Sequence, residues 1–378
     1  MRLGLITLAA VATLALNSVA QAKPASCVSP ITACGCAITT PGVYVLGGPL
    51  TEPAGNADCI DIKAKNVELD TLGAPNDMNG PGSGTGVGIL IEKSARNVTV
   101  GFPRGAKGFA SPSVVSGFAV GIEIEGDNAA IEGGQIDNNV QTGILLKNVA
   151  GGIIDGLEIS SNGGNGIEVD NSSGVYITGV TADSNGSGLL LNNDKNVNVT
   201  ASEFSNSTQD GVVIAGGSAN VFDSAGADNN KGNGLVISNS RNNAIGAASV
   251  GNNANYGLWV SGSTGNYLSE STAQGNGRVG VYIGCAPTGG PTGNACSPKA
   301  KPSTGNTIVS SNLNGSNGTG IPQPYGIAVD VGNTPNVIIL TQADGNTADD
   351  AFDANLGCGA NRWSNNLFTS TTPPSCSH

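Results

Sequence analysis

The sequence contains a single histidine, and this histidine is the last of its 378 residues, His378. A mechanism that requires a positioned imidazole is therefore not expected. Aromatic residues make up only 4% of the chain, and basic residues are outnumbered by 28 acidic to 16, for a net charge of −12. This balance argues against nucleic acid or an anionic membrane as a partner. The sequence also lacks a glycine-rich phosphate loop followed by lysine and a serine nucleophile elbow.

Long apolar runs are missing as well, apart from the segment LGLITLAAVATLAL near the N-terminus. The segment follows Arg2 and precedes the small-residue motif Ala20-Gln21-Ala22, which is the pattern of a secretory signal peptide. Because the run is shorter than the roughly 20 residues of a membrane span, membrane insertion is not expected. We therefore predict cleavage after Ala22 and a secreted or periplasmic mature protein.

The eight cysteines fall into three groups: Cys27, Cys34, Cys36 and Cys59 near the start, Cys285 and Cys296 in one loop, and Cys358 and Cys376 at the end. In an exported chain the cysteines are expected to form disulfides. We predict that each of the two later groups forms one local pair. The first group allows three connectivities, which stay open here. A zinc site is the alternative for these four cysteines, but no histidine lies near them.

A glycine followed by alternating aliphatic residues recurs every 22 or 23 residues. The marker glycines of this repeat are Gly121, Gly143, Gly166, Gly188, Gly211, Gly234, Gly257 and Gly280. The next match, GIAVD, begins 46 residues later at Gly326, and the tripeptide TGN at 264–266 and 304–306 locates 17 of the extra residues between these two positions. Three short strands and three turns fill about 23 residues, so each repeat predicts one rung of a parallel β-solenoid.

The chain resembles the secreted right-handed parallel β-helix repeat proteins of the pectate-lyase-like superfamily. The resemblance is carried by the repeats at 121–349, the entry segment from PGVYVLGGPL to GSGTGVGI at 41–89 and the closing CGANRWSNNLF at 358–368. It implies an all-β fold, a right-handed parallel β-helix (a three-sheet β-solenoid) with capped ends. The predicted organisation is a signal peptide at 1–22, an N-terminal cap and first strands at 23–87, rungs at 88–349 with an insertion at 285–303, and a C-terminal cap at 350–378.

Alternation along each repeat assigns its side chains to two faces. The first and third residues after each marker glycine are aliphatic from Ile122 to Val329, so they are predicted to fill the interior. The second and fourth then point outward, and at the N-terminal end they include the column Glu125, Lys147 and Asp170, predicted to form structural cross-strand pairs. Stacked turn asparagines are predicted four residues before the marker, with Ser184 and Ser207 in two rungs: Asn139, Asn162, Asn230, Asn253 and Asn276.

The outward row ends in two aromatic residues on adjacent rungs, Trp259 and Tyr282. Rings on a flat strand face suit the apolar face of a sugar, so Trp259 and Tyr282, with Val236 and Ser261 beside them, are predicted to bind substrate. The alternative is that the loop containing Cys285 covers this row and buries it.

Catalysis is less clearly indicated by the sequence. Hydrolases of the resembled superfamily carry adjacent aspartates before the marker strand and a nearby histidine, and only Asp210 fits here. A polyuronate lyase needs a basic residue as proton acceptor, for which Lys231 and Arg278 are the candidates, with Tyr282 as acid and Asp210 helping to hold Ca²⁺. Calcium prefers six to eight oxygen ligands, so a lone aspartate is a weak basis for a metal site. No other cofactor is implied.

Two functions from different classes follow. The first is a secreted β-helix protein, expected to be a monomer, that binds and in one version processes extracellular polysaccharide on its outward strand face; as an enzyme it would be a pectate-lyase-like lyase rather than a hydrolase. The second is a non-catalytic structural or adhesive surface protein.

Overall fold

The chain winds into a coil of short strands that pair side by side. The structure, a computed structural model, describes residues 24–52, 56–72, 76–102, 113–285, 301–315, 321–358 and 360–373. The predicted signal peptide, Cys296 and Cys376 lie outside these residues. The strand pairs are parallel throughout the described part, as the sequence predicts for a solenoid.

Three sides are formed by three stacks of strands. The long sheet has fifteen strands, at Ala25–Ser26, Cys36–Ile38, Ile60–Ile62, Val87–Ile91, Val120–Ile124, Thr142–Lys147, Asn165–Asp170, Ser187–Asn192, Val212–Ala215, Leu235–Ser238, Tyr256–Ser261, Val279–Ile283, Tyr325–Val329, Asp349–Asp353 and Thr371–Thr372. The second sheet has thirteen, at Gly42–Val45, Val67–Asp70, Val98–Gly101, Ala129–Glu132, Ala150–Asp155, Ser173–Thr178, Asn198–Thr200, Val221–Asp223, Ala244–Gly246, Tyr267–Ser269, Thr307–Val309, Val337–Ile339 and Arg362–Ser364. The third side has six strands in one stack, at Leu50–Thr51, Met78–Asn79, Val114–Ser116, Gln135–Asp137, Glu158–Ser160 and Thr181–Asp183, and two in another, at Gln342–Ala343 and Leu367–Phe368. One short 3₁₀ turn lies at Leu356–Cys358.

The register of the long sheet confirms the repeat. Leu235 pairs with Leu258, and Leu258 pairs with Val281, at a step of one repeat. Val281 in turn pairs with Ile327, so the 46-residue step is one rung with an outgrowth. The inward row is buried as predicted, with exposures of 0 to 2% from Ile122 to Ile327 apart from Val260 at 3%. Burial of each such side chain is worth about 1.5–3 kcal/mol, which makes this row the main stabilising element.

Polar ladders line the inside corners of the coil. In the predicted ladder, Asn230 donates from its main-chain N and its Nδ2 to Asn253 Oδ1, at 2.9 and 3.0 Å. One member was predicted wrongly, because Asn185 rather than Ser184 accepts from Asn162. The turn before Gly188 is one residue shorter, so the ladder residue stands three positions before the marker. At Ser207 the ladder is interrupted, since the buried Ser207 Oγ has no partner.

A second asparagine ladder, not predicted from the sequence, precedes the strands of the second sheet. It runs from Asn220 to Asn361, and each member accepts a hydrogen bond from the main chain of the preceding rung. Two of its members, Asn266 and Asn306, belong to the TGN tripeptides that located the insertion. The recurring tripeptide therefore reflects a structural requirement of this corner.

The N-terminal end of the long sheet is fixed by two disulfides, Cys27–Cys36 and Cys34–Cys59. They select one of the three connectivities and exclude the zinc alternative for these cysteines. Cys285 and Cys358 are also disulfide-bonded, while their predicted partners lie outside the described residues.

A buried carboxylic acid interrupts the serine ladder at the corner between the long and second sheets. Asp194 is fully buried, and one of its oxygens accepts from Ser172 N at 2.6 Å, where serine does the same job in the rungs of Ser240 and Ser263. Burial raises the pKa of Asp194 to about 7. The folded state therefore holds a proton that the unfolded chain releases near pH 4, so Asp194 costs stability increasingly as the pH rises toward 7.

Asp194→Ser should remove this cost, because serine keeps the acceptor for Ser172 N without a charge to bury. The difference in unfolding free energy between the variant and the wild type should grow by about 2 kcal/mol from pH 5 to pH 7. Denaturant titrations at the two pH values measure it. A difference that stays constant with pH would show that Asp194 titrates normally.

Candidate functional site

The outward face of the long sheet is divided into a charged half and an aromatic half. Alternation places the second and fourth residues after each marker glycine on this face, as predicted. The register brings Val236, Trp259 and Tyr282 side by side on successive rungs. The two halves differ in chemistry, so each is described in turn.

The aromatic half consists of five rings, which we call the aromatic shelf: Tyr256, Trp259, Tyr282, Tyr325 and Phe352. Tyr256 and Tyr282 are fully buried and stack with 4.7 Å between ring centroids. The other three rings are partly buried against them. Tyr256 lies 6.0 Å from Trp259, and Tyr325 lies 5.7 Å from Phe352. The shelf therefore combines a closed base with three rings that reach solvent.

The structure corrects the expected exposure of two predicted binding residues. Tyr282 is fully buried and Val236 is 5% exposed. The ring of Tyr282 lies along the sheet over Gly284, where an added Cβ would stand 2.3 Å from Tyr282 Cζ, and the Tyr282 hydroxyl hydrogen-bonds Asp330. The small residues Gly284 and Ala328 leave the room that lets this ring fold down. Tyr282 therefore belongs to the base of the shelf and is not placed to act on a substrate.

Trp259 and Ser261 remain partly exposed. Trp259 Nε1 donates to the main-chain oxygen of Gly284 at 2.8 Å, which fixes the indole plane against the sheet. A fixed ring with one side toward solvent is a suitable stacking surface.

Sequence reasoning missed Tyr325 and Phe352. Tyr325 stands immediately before Gly326, in the column that contains Tyr256 and Val279. Phe352 stands two residues after Asp350, which replaces the marker glycine in that rung. Following the columns across the insertion would have found Tyr325, whereas the missing marker hides Phe352.

The three other predicted catalytic residues are not brought together. Asp210 Oδ1 accepts from Asn233 N and Nδ2, at 2.7 and 2.9 Å, so it ties two rungs, and burial raises its pKa. Lys231 is exposed and Arg278 half-buried. Arg278 stands three rungs from Asp210, about 14 Å at the usual strand spacing. No hydrogen bond or ion pair joins any two of these three side chains in the described part of the chain.

The charged half of the face is held by internal ion pairs. Lys63 contacts Asp61 at 2.6 Å and Glu92 at 2.7 Å. Burial raises the pKa of Asp61, an effect that the Lys63 ammonium opposes. Lys147 bonds Glu123 at 2.6 Å, rather than the column neighbours Glu125 and Asp170 that the sequence suggested.

These bonds make the charged half a structural region. Among the described residues, no group of three or more His, Cys, Asp or Glu side chains is arranged to hold a metal ion. The calcium site considered from the sequence therefore stays a prediction without a ligand set.

The stacked rungs, the three parallel sheets and the open outer face define a parallel β-helix. Three overlapping matches to the family described as right handed beta helix region cover residues 83–224, 120–273 and 187–372. The chain belongs to this right-handed β-helix family, which confirms the fold predicted from the repeat.

Two solved structures share the fold at low sequence identity. The A-module of the mannuronan C-5 epimerase AlgE4 from Azotobacter vinelandii has a TM-score of 0.57 and 15% identity, with 84% of this chain and 86% of that chain covered. The A-module of AlgE6, a mannuronan C-5 epimerase from the same organism, has a TM-score of 0.53 and 12% identity, with 88% and 84% covered. No curated protein sequence matches the chain. Within the described ranges, no helix has the length and apolar character needed to cross a bilayer.

Proposed function

We propose that this protein is exported and binds a polysaccharide along the outer face of its long sheet, with the aromatic shelf as the stacking surface. The observation that carries the proposal is the shelf itself. Three partly exposed rings, those of Trp259, Tyr325 and Phe352, stand on a rigid base of buried tyrosines. Aromatic side chains cluster this way at sites where an amphipathic ligand is held by stacking and a few polar contacts.

Two further observations support the proposal. The disulfides Cys27–Cys36 and Cys34–Cys59 agree with an oxidising compartment, where extracellular glycans are found. The two structural neighbours are named as enzymes of mannuronan, a polysaccharide. The proposal is limited to binding, because the predicted catalytic residues do not converge.

Trp259→Ala should weaken glycan binding at least tenfold, because it removes the fixed ring of the shelf. Tyr325→Ala and Phe352→Ala should weaken it as well. Affinity electrophoresis in gels that contain dextran, polymannuronate or dextran sulfate measures the effect. Thermal unfolding of each variant shows whether its fold is retained.

The second sheet provides matched controls. Tyr176 and Tyr267 are exposed by 55% and 47% on its outer face, so Tyr176→Ala and Tyr267→Ala remove a ring of the same chemistry elsewhere. These variants should bind like the wild type. Equal losses in the controls would move the site away from the shelf. A wild-type protein retarded by none of the glycans would reject the proposal in favour of a structural or adhesive role.

A further inference from the structure

A groove with three cationic side chains runs along the corner between the long and second sheets. It has a volume of about 320 Å³, and its walls include Lys195, Gly216, Ser218, Arg241, Gly262 and Lys301. All three basic side chains are exposed. The groove is open to solvent and lies outside the aromatic shelf, so it is a separate feature of the surface.

The coil brings the three cations together from distant parts of the chain. Lys195 and Arg241 occupy one column, with Ser218 bridged to both, and stand two rungs apart, about 10 Å. Lys301 comes from the end of the insertion and lies over Gly262, where an added Cβ would be 3.7 Å from Lys301 Cβ.

The floor of the groove is bare because glycine occupies two of its turn positions. Gly216 and Gly262 have φ angles of +69° and +58°. Asparagine takes the same left-handed turn position in neighbouring rungs, at Asn193 and Asn239. Where glycine replaces it, no side chain rises between the cations, and a ligand can approach the main chain.

The charge of the groove is not balanced by the protein. Within the described residues, none of its three cations forms an ion pair, in contrast to Lys63 and Lys147 on the outer face of the long sheet. The protein as a whole carries a net charge of −12 with only 16 basic residues. Three unpaired cations around a concave surface create a local positive potential, which attracts anions.

We infer that this groove binds the anionic groups, carboxylate or sulfate, of an acidic polysaccharide. The inference rests on the proposed function and adds the substrate class to it. The groove continues the outer face directly, since Ser261 of the Trp259 strand is followed by Gly262 in the groove. Trp259 and Gly262 are three residues apart, about 10 Å along the strand. A sugar chain stacked on Trp259 therefore reaches the groove within the same rung.

The test compares two variants with the same loss of charge. The groove variant carries Lys195→Gln, Arg241→Gln and Lys301→Gln. The control variant carries Lys65→Gln, Lys93→Gln and Arg362→Gln, three exposed cations outside the groove. Affinity electrophoresis is run with polymannuronate for carboxylate, dextran sulfate for sulfate and dextran as the neutral chain, at low and high salt.

The wild type should bind at least one acidic glycan at least tenfold more tightly than dextran, and salt should weaken that binding. The groove variant should lose the preference, while the control variant keeps it. Whichever acidic glycan shows the larger loss identifies the anionic group.

Two results would overturn the inference while the proposed function stands: equal binding of acidic and neutral chains by the wild type, or an unchanged preference in the groove variant when Trp259→Ala still abolishes binding. Absence of binding to all three glycans would reject the proposed function, and the inference with it.

Discussion

Asn253→Ala should lower the unfolding free energy by about 3 kcal/mol. Asn253 is fully buried, and its Oδ1 accepts from Asn230 N and Nδ2, at 2.9 and 3.0 Å. Its Nδ2 donates to Ala227 O at 3.0 Å and to Asn276 Oδ1 at 3.1 Å. Alanine removes all of these bonds at once. The main-chain N–H of Asn230 is then left without an acceptor in a buried corner, and each such loss costs about 1–3 kcal/mol.

The matched control is Asn255→Ala, two residues further in the same turn. The side chain of Asn255 is half-buried and forms no hydrogen bond among the described residues. This change should alter stability by less than about 0.5 kcal/mol. Denaturant unfolding followed by circular dichroism compares the two variants. Similar midpoints for both would mean that the ladder does not stabilise the coil.

Gly234→Ala should cost about 3 kcal/mol for a different reason, which is the lack of space for one carbon atom. A Cβ at Gly234 would stand 2.6 Å from Asn253 Nδ2, 2.7 Å from Gly257 O and 2.8 Å from Ala227 O. Two of these three atoms belong to the main chain, which cannot move without shifting a rung. The marker glycine is therefore required by the close stacking of successive turns.

Gly101→Ala provides the comparison. Gly101 also lies in a strand, but nothing stands within 4 Å of the Cβ that alanine would add. The change should leave stability unaltered or raise it slightly, because alanine restricts the unfolded chain. Thermal unfolding of both variants decides the matter. A stable Gly234→Ala protein would show that the rungs can separate to make room.

The sequence predicts the fold well, because both of its strong signals are periodic. The marker glycine sets the register, and alternation then assigns each aliphatic residue, such as Leu258 and Val260, to the interior. Where a turn changes length the prediction fails, as at Ser184, because the count of residues no longer matches the count of positions.

The candidate site was predicted only in part. Alternation placed Tyr282 on the outer side of the sheet, but its burial depends on Gly284 and on the hydroxyl bond to Asp330, which lie in different columns. The cationic groove was not predicted, because Lys195, Arg241 and Lys301 share no motif. Only the corner geometry and the path of the insertion bring them together.

The interrupted ladder at Ser207 has a consequence for how the coil opens. Aligned amide groups polarise one another, so the hydrogen bonds of an unbroken row reinforce each other. The row is continuous from Asn139 to Asn185 and again from Ser207 to Asn346, but nothing carries it across the Asn185 to Ser207 step. The coil thus contains a seam at this corner, where two cooperative blocks meet and where fraying can start away from either end.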